Sequence, residues 1–398
     1  MNPTRRLLLA AAAALPVSGP ALAEKKPKRE KKPPPPAGPP AESPVGPLDT
    51  AAKWAMIVDY NSGATLLDKD ADDAMAPSSM TKIMTAYLVY TALKGGKLRL
   101  TDELPVSERA YRMGGSRMFV QIGTSVAVED LIRGMIVQSG NDACVVLAEA
   151  IAGSEEAFAE QMTAKARSFG MDRTTYKNAT GWPDPEHRST CRDLATLSRR
   201  IIADFPEYYH YDSEKSFKYN NIDQENRNPL VQKGVADGLK TGHTDEGGYG
   251  IVVSAERAGR RVVIVLNGMN SMHQRAEESE RMLEWSFREF ENVTLFAAGE
   301  TVERAPVWLG AQASVPLVGE GDLVVTMPRQ WRNTASISVQ YDGPVRAPVA
   351  RGDKLGRLVI AGARVPQLEV PLVAGADVPM LGLPGRAMAV LSHYVTGS

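Results

Sequence analysis

The sequence predicts an α+β protein: an antiparallel sheet with helices packed on it, followed by a small all-β domain. Three observations carry that reading. β-rich runs open the folded part, several helical stretches follow, and a β hairpin with one more helix closes it. After about residue 292 the texture changes to short β-rich runs divided by Gly and Pro turns. The chain has 398 residues, more than one hydrophobic core usually organises, so two folded domains are expected.

Residues 1–23 start with Arg5 and Arg6, continue with an apolar run from Leu7 to Pro16 and end in Ala21-Leu22-Ala23. That is the pattern of a secretory signal peptide cut after Ala23. The run is shorter than the roughly 20 residues that span a bilayer. Residues 24–47 hold six basic residues and the run Pro33-Pro34-Pro35-Pro36, and read as an extended, solvated linker.

Trp54 to Asp59 is a β-rich run, Asn61-Ser62-Gly63 a turn and Ala64 to Leu67 a second strand. Ser79 to Tyr90 reads as a helix stopped by Gly95-Gly96, apolar on most faces and therefore the buried central helix. Residues 129–152 are helical but broken by Ser139-Gly140-Asn141, and 154–170 and 190–203 are amphipathic helices. Leu239 to Gly242 is short and extended. Gly250 to Ala255 and Arg261 to Leu266 form a hairpin, and 275–291 is a helix with Met282, Leu283, Trp285, Phe287 and Phe290. Runs at 302–309, 313–318, 322–327, 335–341 and 366–373 are the strands of the second domain. In the tail, residues 381–398, Met388, Leu391, Tyr394 and Val395 lie near one helical face.

The formal charge is -1, with Lys+Arg 46 against Asp+Glu 47, which gives no field for nucleic acid. The balance is an average. Two leader arginines and a linker with six basic against three acidic residues leave the rest at about -6. Two cysteines exclude a disulfide-dense scaffold and an all-cysteine zinc site; Cys144 and Cys191 fit a disulfide or two buried thiols. Five histidines without a His-x-x-x-His or His-Glu-x-x-His pair argue against a zinc peptidase, so no metal is expected. No Gly-x-Ser-x-Gly elbow is present.

Three short motifs remain. Ser79 and Lys82 stand three residues apart at the opening of the buried helix, on one face and a turn apart. A serine hydroxyl becomes a good nucleophile only when a base takes its proton. A lysine serves as that base when burial and neighbouring cations keep it neutral. A helix N-terminus adds positive potential where an oxyanion forms. Alone, these residues also fit a helix cap followed by a surface lysine. Ser139-Gly140-Asn141 fits a plain inter-helix loop, or a relay hydroxyl beside an amide for a substrate peptide bond. Lys240-Thr241-Gly242 fits an ordinary strand end, or a cation and a hydroxyl aimed at an anion, with a glycine that lets backbone approach. A phosphate loop is excluded because no glycine-rich run precedes Lys240.

Together, in this order, the motifs are specific. The chain resembles the low-molecular-mass penicillin-binding proteins, in particular the serine-type D-alanyl-D-alanine carboxypeptidases, over roughly residues 48–380. Ala76 to Lys82, Ser139 to Ala143 and Asp237 to Thr244 carry the resemblance, with Gly170-Met171 through Thr180-Gly181 and Asn226-Arg227-Asn228 adding to it. It implies a β-lactamase-like (penicilloyl-serine-transferase) catalytic domain over 48–291 and a β-rich domain over 292–380. It implies removal of the terminal D-Ala from a peptidoglycan stem peptide through an acyl-enzyme, covalent inhibition by β-lactams, and no cofactor. Residue by residue, Ser79 is the expected nucleophile and Lys82 its base. Ser139 passes the proton to the departing nitrogen, Asn141 holds the substrate amide and Lys82, and Lys240 supplies positive field and orients Ser139. The N–H groups of Ser79 and His243 form the oxyanion hole beside Gly242, and Thr241 takes the terminal carboxylate.

Arg275 is expected to reach the same carboxylate, because a planar guanidinium suits it; the alternative is an exposed helix arginine paired with Glu278. Gly140 in the second motif fits the carboxypeptidases rather than the class A β-lactamases, and no Glu-x-x-Leu-Asn segment suits rapid deacylation. Trp182 departs from the aliphatic residue expected after Thr180-Gly181. The other readings are a D,D-endopeptidase or serine β-lactamase on this site, and a non-catalytic wall-binding protein. The expected location is outside the cytoplasm, in the periplasm, with the tail touching the inner membrane's outer face.

Overall fold

The computed structural model describes residues 38–331, 336–361 and 368–396. The expected signal peptide, and the linker as far as residue 37, lie outside the described residues. In chain order the first part forms β1 (Trp54–Asp59), β2 (Thr65–Lys69), a 3-10 turn Ser78–Thr81, α1 (Lys82–Lys94), β3 (Glu103–Pro105), α2 (Glu108–Arg112), β4 (Ser125–Ala127), α3 (Val128–Ile136), α4 (Asn141–Ala152), α5 (Glu155–Ser168) and α6 (Cys191–Asp204). It continues with β5 (Ser216–Tyr219), β6 (Ile222–Glu225), α7 (Pro229–Lys233), β7 (Gly238–Thr244), β8 (Gly248–Arg257), β9 (Arg260–Met269) and α8 (Met272–Glu289). The C-terminal part holds β10 (Phe290–Phe296), β11 (Thr301–Trp308), β12 (Ser314–Val318), β13 (Leu323–Pro328), β14 (Ser336–Tyr341), β15 (Val345–Arg346), β16 (Lys354–Ala361), β17 (Leu368–Ala374) and α9 (Leu383–Thr396).

Strands β1, β2, β7, β8 and β9 make one antiparallel sheet in the order β2-β1-β9-β8-β7. In β9, Val262, Ile264 and Leu266 face one way, Val263 and Val265 the other, and all five are buried. A strand buried on both faces needs a layer on each side. Met282, Leu283 and Trp285 of α8 cover one face, and α1, α4 and α6 belong to the core on the other. In α1 only Thr91 and Lys94 are exposed, as expected for a central helix. Side-chain oxygens start several of the other helices: Ser154 caps α5, Thr190 caps α6 and Ser271 caps α8.

Three expectations shift. The helix expected from Ser79 begins at Lys82, because Ser78–Thr81 wind first as a 3-10 turn. The linker expected to reach residue 47 is already part of the packed chain at Ala41. That side chain is fully buried, and Ala41 and Glu42 pair with Leu48 and Asp68. The helix expected to end at 291 gives way to β10 at Phe290. The small pairs β3–β4 and β5–β6 and the strand β16 had no clear signal in the sequence.

The C-terminal part is all-β apart from a short 3-10 turn and α9, with strands in the order β14-β16-β17-β12-β11-β15 and the pair β10–β13. It is tied to the first part at a buried ion pair. Arg260 Nε donates to Asp59 at 2.8 Å, and Arg260 also donates to the carbonyls of Ser286 and Phe290. Asn292 donates to the same Asp59 and accepts from Thr326.

Candidate active site

The three motifs, far apart in sequence, line one cleft of about 780 Å³. Ser79 lies on the 3-10 turn at the entrance of α1, Ser139 between α3 and α4, Asn141 at the start of α4, and Thr241, Gly242 and His243 on β7. Strand β7 is the last in its sheet, so its outer edge is unpaired and open to an extended peptide. Gly242 allows the close approach. A Cβ there would lie 3.0 Å from Ser78 Cβ and 3.2 Å from Ser79 N.

Lys82 is the centre of the arrangement. It is 1% exposed, and its Nζ lies 2.9 Å from Ser79 Oγ, 2.7 Å from Asn141 Oδ1 and 2.6 Å from the Thr180 carbonyl. Burial, reinforced by the Arg227 guanidinium, lowers its pKa to about 8, so a minor neutral fraction exists near neutral pH. Asn141 is fixed in turn: its Nδ2 donates to the Gly114 carbonyl and its N–H to the Ser116 carbonyl. Asp142 next to it accepts from the N–H groups of Met118, Phe119 and Val120, holding the segment that carries the cleft wall. From behind, buried His187 meets Thr81 Oγ1 at 2.8 Å and accepts the Lys177 N–H, which leaves its proton on Nε2.

Ser139 is buried at φ +66°, and among the described residues its hydroxyl forms no hydrogen bond. Lys240 is buried with a pKa held well below that of a free lysine by burial and then by Lys82, Arg227 and Arg275. Among the described residues its Nζ reaches only the Thr241 carbonyl, at 3.3 Å, so no hydrogen bond from Lys240 orients Ser139. His243 is exposed, with its ring centroid 4.0 Å from that of Tyr249.

Arg275 lines the cleft as expected. The pairing with Glu278 is not made: Glu278 instead accepts from Thr50, Ala51 and Arg281. Arg275 is 7% exposed and sits 5.8 Å from the Tyr249 ring centroid; burial lowers its pKa to about 10. The sequence assigned no role to Arg227, which also lines the cleft. Its signal, the Asn226-Arg227-Asn228 run, was visible without a partner to point at. Among the described residues Lys82, Lys240, Arg227 and Arg275 form no ion pair. The nearby Asp212 does not offset them, because burial raises its pKa well above the carboxylate range. Cations that converge without a counter-ion make a site built for an anionic ligand group. Cys144 and Cys191 are free and buried, which settles the open pairing. Among the described residues no cluster of metal-ligating side chains occurs.

A nucleophilic serine beside a buried, partly neutral lysine, in a cationic cleft along an open strand edge, defines a serine-type acyl-transfer hydrolase. Residues 41–271 match the family model of D-alanyl-D-alanine carboxypeptidase, and residues 290–380 that of the penicillin-binding protein 5 C-terminal domain. The chain belongs to the D-alanyl-D-alanine carboxypeptidase family. It is 38% identical to D-alanyl-D-alanine carboxypeptidase DacA of Haemophilus influenzae, over 79% of this chain and 82% of that one. The crystal structure of penicillin binding protein 5 from Haemophilus influenzae superposes with a TM-score of 0.80 at 36% identity, covering 84% of this chain and 99% of that one. Penicillin-Binding Protein D2 from Listeria monocytogenes, solved in an ampicillin-bound form, matches with a TM-score of 0.55 at 29% identity, over 60% of this chain and 98% of that one. The protein is a serine-type DD-carboxypeptidase with a β-lactamase-like catalytic fold and an all-β C-terminal domain.

Proposed function

We propose that this chain releases the terminal D-Ala of a peptidoglycan stem peptide by acylating Ser79, with neutral Lys82 as the base. The observation that carries this is the 2.9 Å contact between Lys82 Nζ and Ser79 Oγ, with Lys82 buried and oriented by two acceptors. Lys82 takes the Ser79 proton as Oγ attacks the penultimate carbonyl. The Ser79 and His243 N–H groups receive the oxyanion; one such donor is worth about 10²–10³ in rate. The C–N bond breaks, and the proton passes through the Ser139 hydroxyl to the leaving D-Ala nitrogen. Water then cleaves the Ser79 ester: Lys82 takes a proton from the water and returns it to Ser79 Oγ as the C–O bond breaks. Thr241 and Arg275 bind the terminal carboxylate, and Lys240 and Arg227 hold positive potential around it. A β-lactam, whose strained amide enters as the scissile bond does, acylates the same oxygen. Intact mass after penicillin, with the adduct mapped to a peptide, tests this beside D-Ala release from a pentapeptide. An adduct on Ser79 and released D-Ala are expected; no adduct and no D-Ala would end the reading.

Arg275→Ala is expected to lower kcat/KM roughly ten- to a hundredfold for peptides ending in a free carboxylate, with KM raised, as for loss of a charged hydrogen bond. Unchanged kinetics on such peptides would remove Arg275 from carboxylate binding.

The leader pattern of residues 1–23 supports export to the periplasm, where such a substrate lies. The tail helix α9 exposes Leu383, Met388 and Leu391, at 75%, 70% and 65%, which supports peripheral contact with the inner membrane. Among the described residues no helix is long and apolar enough to cross a membrane. Cell fractionation checks both: the full chain is expected in the periplasmic membrane fraction and a chain ending at residue 380 in the soluble one. Identical distribution of the two would discard the tail contact.

A further inference from the structure

One buried carboxylate behind the cleft takes no direct part in this chemistry. Glu155 opens α5. Its neighbour Glu156 shows what a helix start asks of an acid: it faces the N-terminal dipole while its side chain stays 63% exposed. Glu155 is instead turned inward, its side chain 4% exposed, although Ser154 already caps the helix. Burying a carboxylate is costly unless it is paired and hydrogen-bonded. Both needs are met from outside α5. Oε2 accepts from the Arg109 guanidinium of α2 at 2.6 Å, and Oε1 accepts from the Ala179 N–H at 3.1 Å.

Ala179 connects that carboxylate to Lys82. The Ala179 carbonyl accepts from Thr85 Oγ1 at 2.7 Å, and Thr85 lies one turn along α1 from Lys82. The backbone of Ala179 is therefore held on both sides, by α5 and by α1. The next carbonyl, that of Thr180, lies 2.6 Å from Lys82 Nζ. A shift of Ala179 moves this acceptor with it, because each residue of the chain has only two soft dihedrals. Glu155 also acts on Lys82 through its charge. Burial and then Arg227 favour the neutral amine, whereas the carboxylates of Asp142 and Glu155 favour the ammonium. Asp142 on α4 accepts from the N–H groups of Met118, Phe119, Val120 and Ala143, so its charge is tied to the cleft wall. The other titratable groups facing Lys82 are Cys144 on α4, whose thiol burial pushes up to about 12, His187, which burial pushes down to about 4, and Lys240 on β7. Cys144 and His187 are thus uncharged near neutral pH. Glu155 itself faces Lys82, Cys144, Arg109 and, across Arg109, Glu156.

We propose that Glu155 is a positioning residue for the base: through Ala179 it sets where the Thr180 carbonyl meets Lys82 Nζ, and together with Arg109 it sets the charge that Lys82 faces. This rests on the reading of Lys82 as the base of Ser79. The test is the pH profile of Ser79 acylation by a chromogenic β-lactam, whose rising limb reports Lys82. It is followed by stopped flow at low ionic strength in the full chain, Glu155→Gln, Glu155→Leu and Arg109→Met. Glu155→Gln keeps an oxygen for the Ala179 N–H but loses the charge, so its limb should move to lower pH by roughly half a unit or more. Arg109→Met leaves the carboxylate unpaired, so its limb should move to higher pH, and by less because Arg109 is 47% exposed. Glu155→Leu also loses the acceptor, and its plateau rate should fall roughly tenfold below that of Glu155→Gln. General loosening of the fold lowers a plateau but does not move two limbs in opposite directions. A Glu155→Gln limb at the full chain's pH, or limbs of Glu155→Gln and Arg109→Met that move the same way, would overturn the proposal. Equal plateaus in Glu155→Gln and Glu155→Leu would do so too. Where a Glu155 variant does not fold, the Arg109→Met limb decides alone, and an unmoved limb there overturns the proposal. A full chain that acylates without any limb near pH 8 would instead end the reading of Lys82 as the base.

Discussion

Lys82→Met is expected to slow acylation of Ser79 on the order of 10⁴-fold, the upper end of what a positioned base contributes. Methionine keeps the volume but removes the only group within hydrogen-bond reach of Ser79 Oγ among the described residues. It also strands the Asn141 amide oxygen and the Thr180 carbonyl, each an acceptor whose loss of a partner costs about 1–3 kcal/mol when buried. The pH profile separates loss of the base from a general loosening. The neutral form of Lys82 is the active one, so the acylation rate of the unaltered protein should climb with pH and level off above about 8. The variant should lack that limb. Stopped-flow acylation by a chromogenic β-lactam across pH reads both. A surviving limb near pH 8 in Lys82→Met would assign the base elsewhere.

Gly181→Ala is expected to cost about 10²–10³ in kcat, through a residue that touches no substrate. Gly181 has φ +82°, and a Cβ there would stand 1.8 Å from the Ser78 carbonyl oxygen and 2.9 Å from Ser79 N. Backbone cannot yield that distance without moving, and both neighbours matter. The Thr180 carbonyl holds Lys82, and Ser79 N is an oxyanion donor in the proposed mechanism. Gly153→Ala is the control. Gly153 has nearly the same conformation, φ +81°, at the end of α4, but nothing lies within 4 Å of its Cβ position. It should lose about 1 kcal/mol of stability and keep its rate. If both variants lost only stability, the contact of Gly181 with the nucleophile turn would have no catalytic weight.

Much of this was legible before any coordinates. Continuous apolar and β-branched runs marked β1, β8 and β9 because a strand covered on both faces is apolar on each, and the 3.6-residue period marked α5, α6 and α8. Short elements escaped. The pairs β3–β4 and β5–β6 are three or four residues per strand and bury little, so no run could announce them. Ala41 escaped for a related reason, since a single alanine behind a proline-rich stretch carries no periodicity. The three motifs were readable as candidates, and each alone had a plain structural alternative. The cleft in which they meet removes those alternatives for Lys82 and Arg275, both of which are buried and neither of which forms an ion pair among the described residues. Arg227 was visible as a letter only; its place in the cleft depends on neighbours that the letter does not name.

The sequence by itself determined which groups are present for the chemistry. A hydroxyl, an amine a turn away, an amide and a cation are properties of residue type and local spacing, and those are written in the chain. Only the tertiary structure decided the state of those groups. Lys82 depends on acceptors 59 and 98 residues away and on burial by helices it does not adjoin in sequence. Desolvation and Coulomb energy are sums over everything nearby in space, so a lysine becomes a base at neutral pH only after the chain has closed around it.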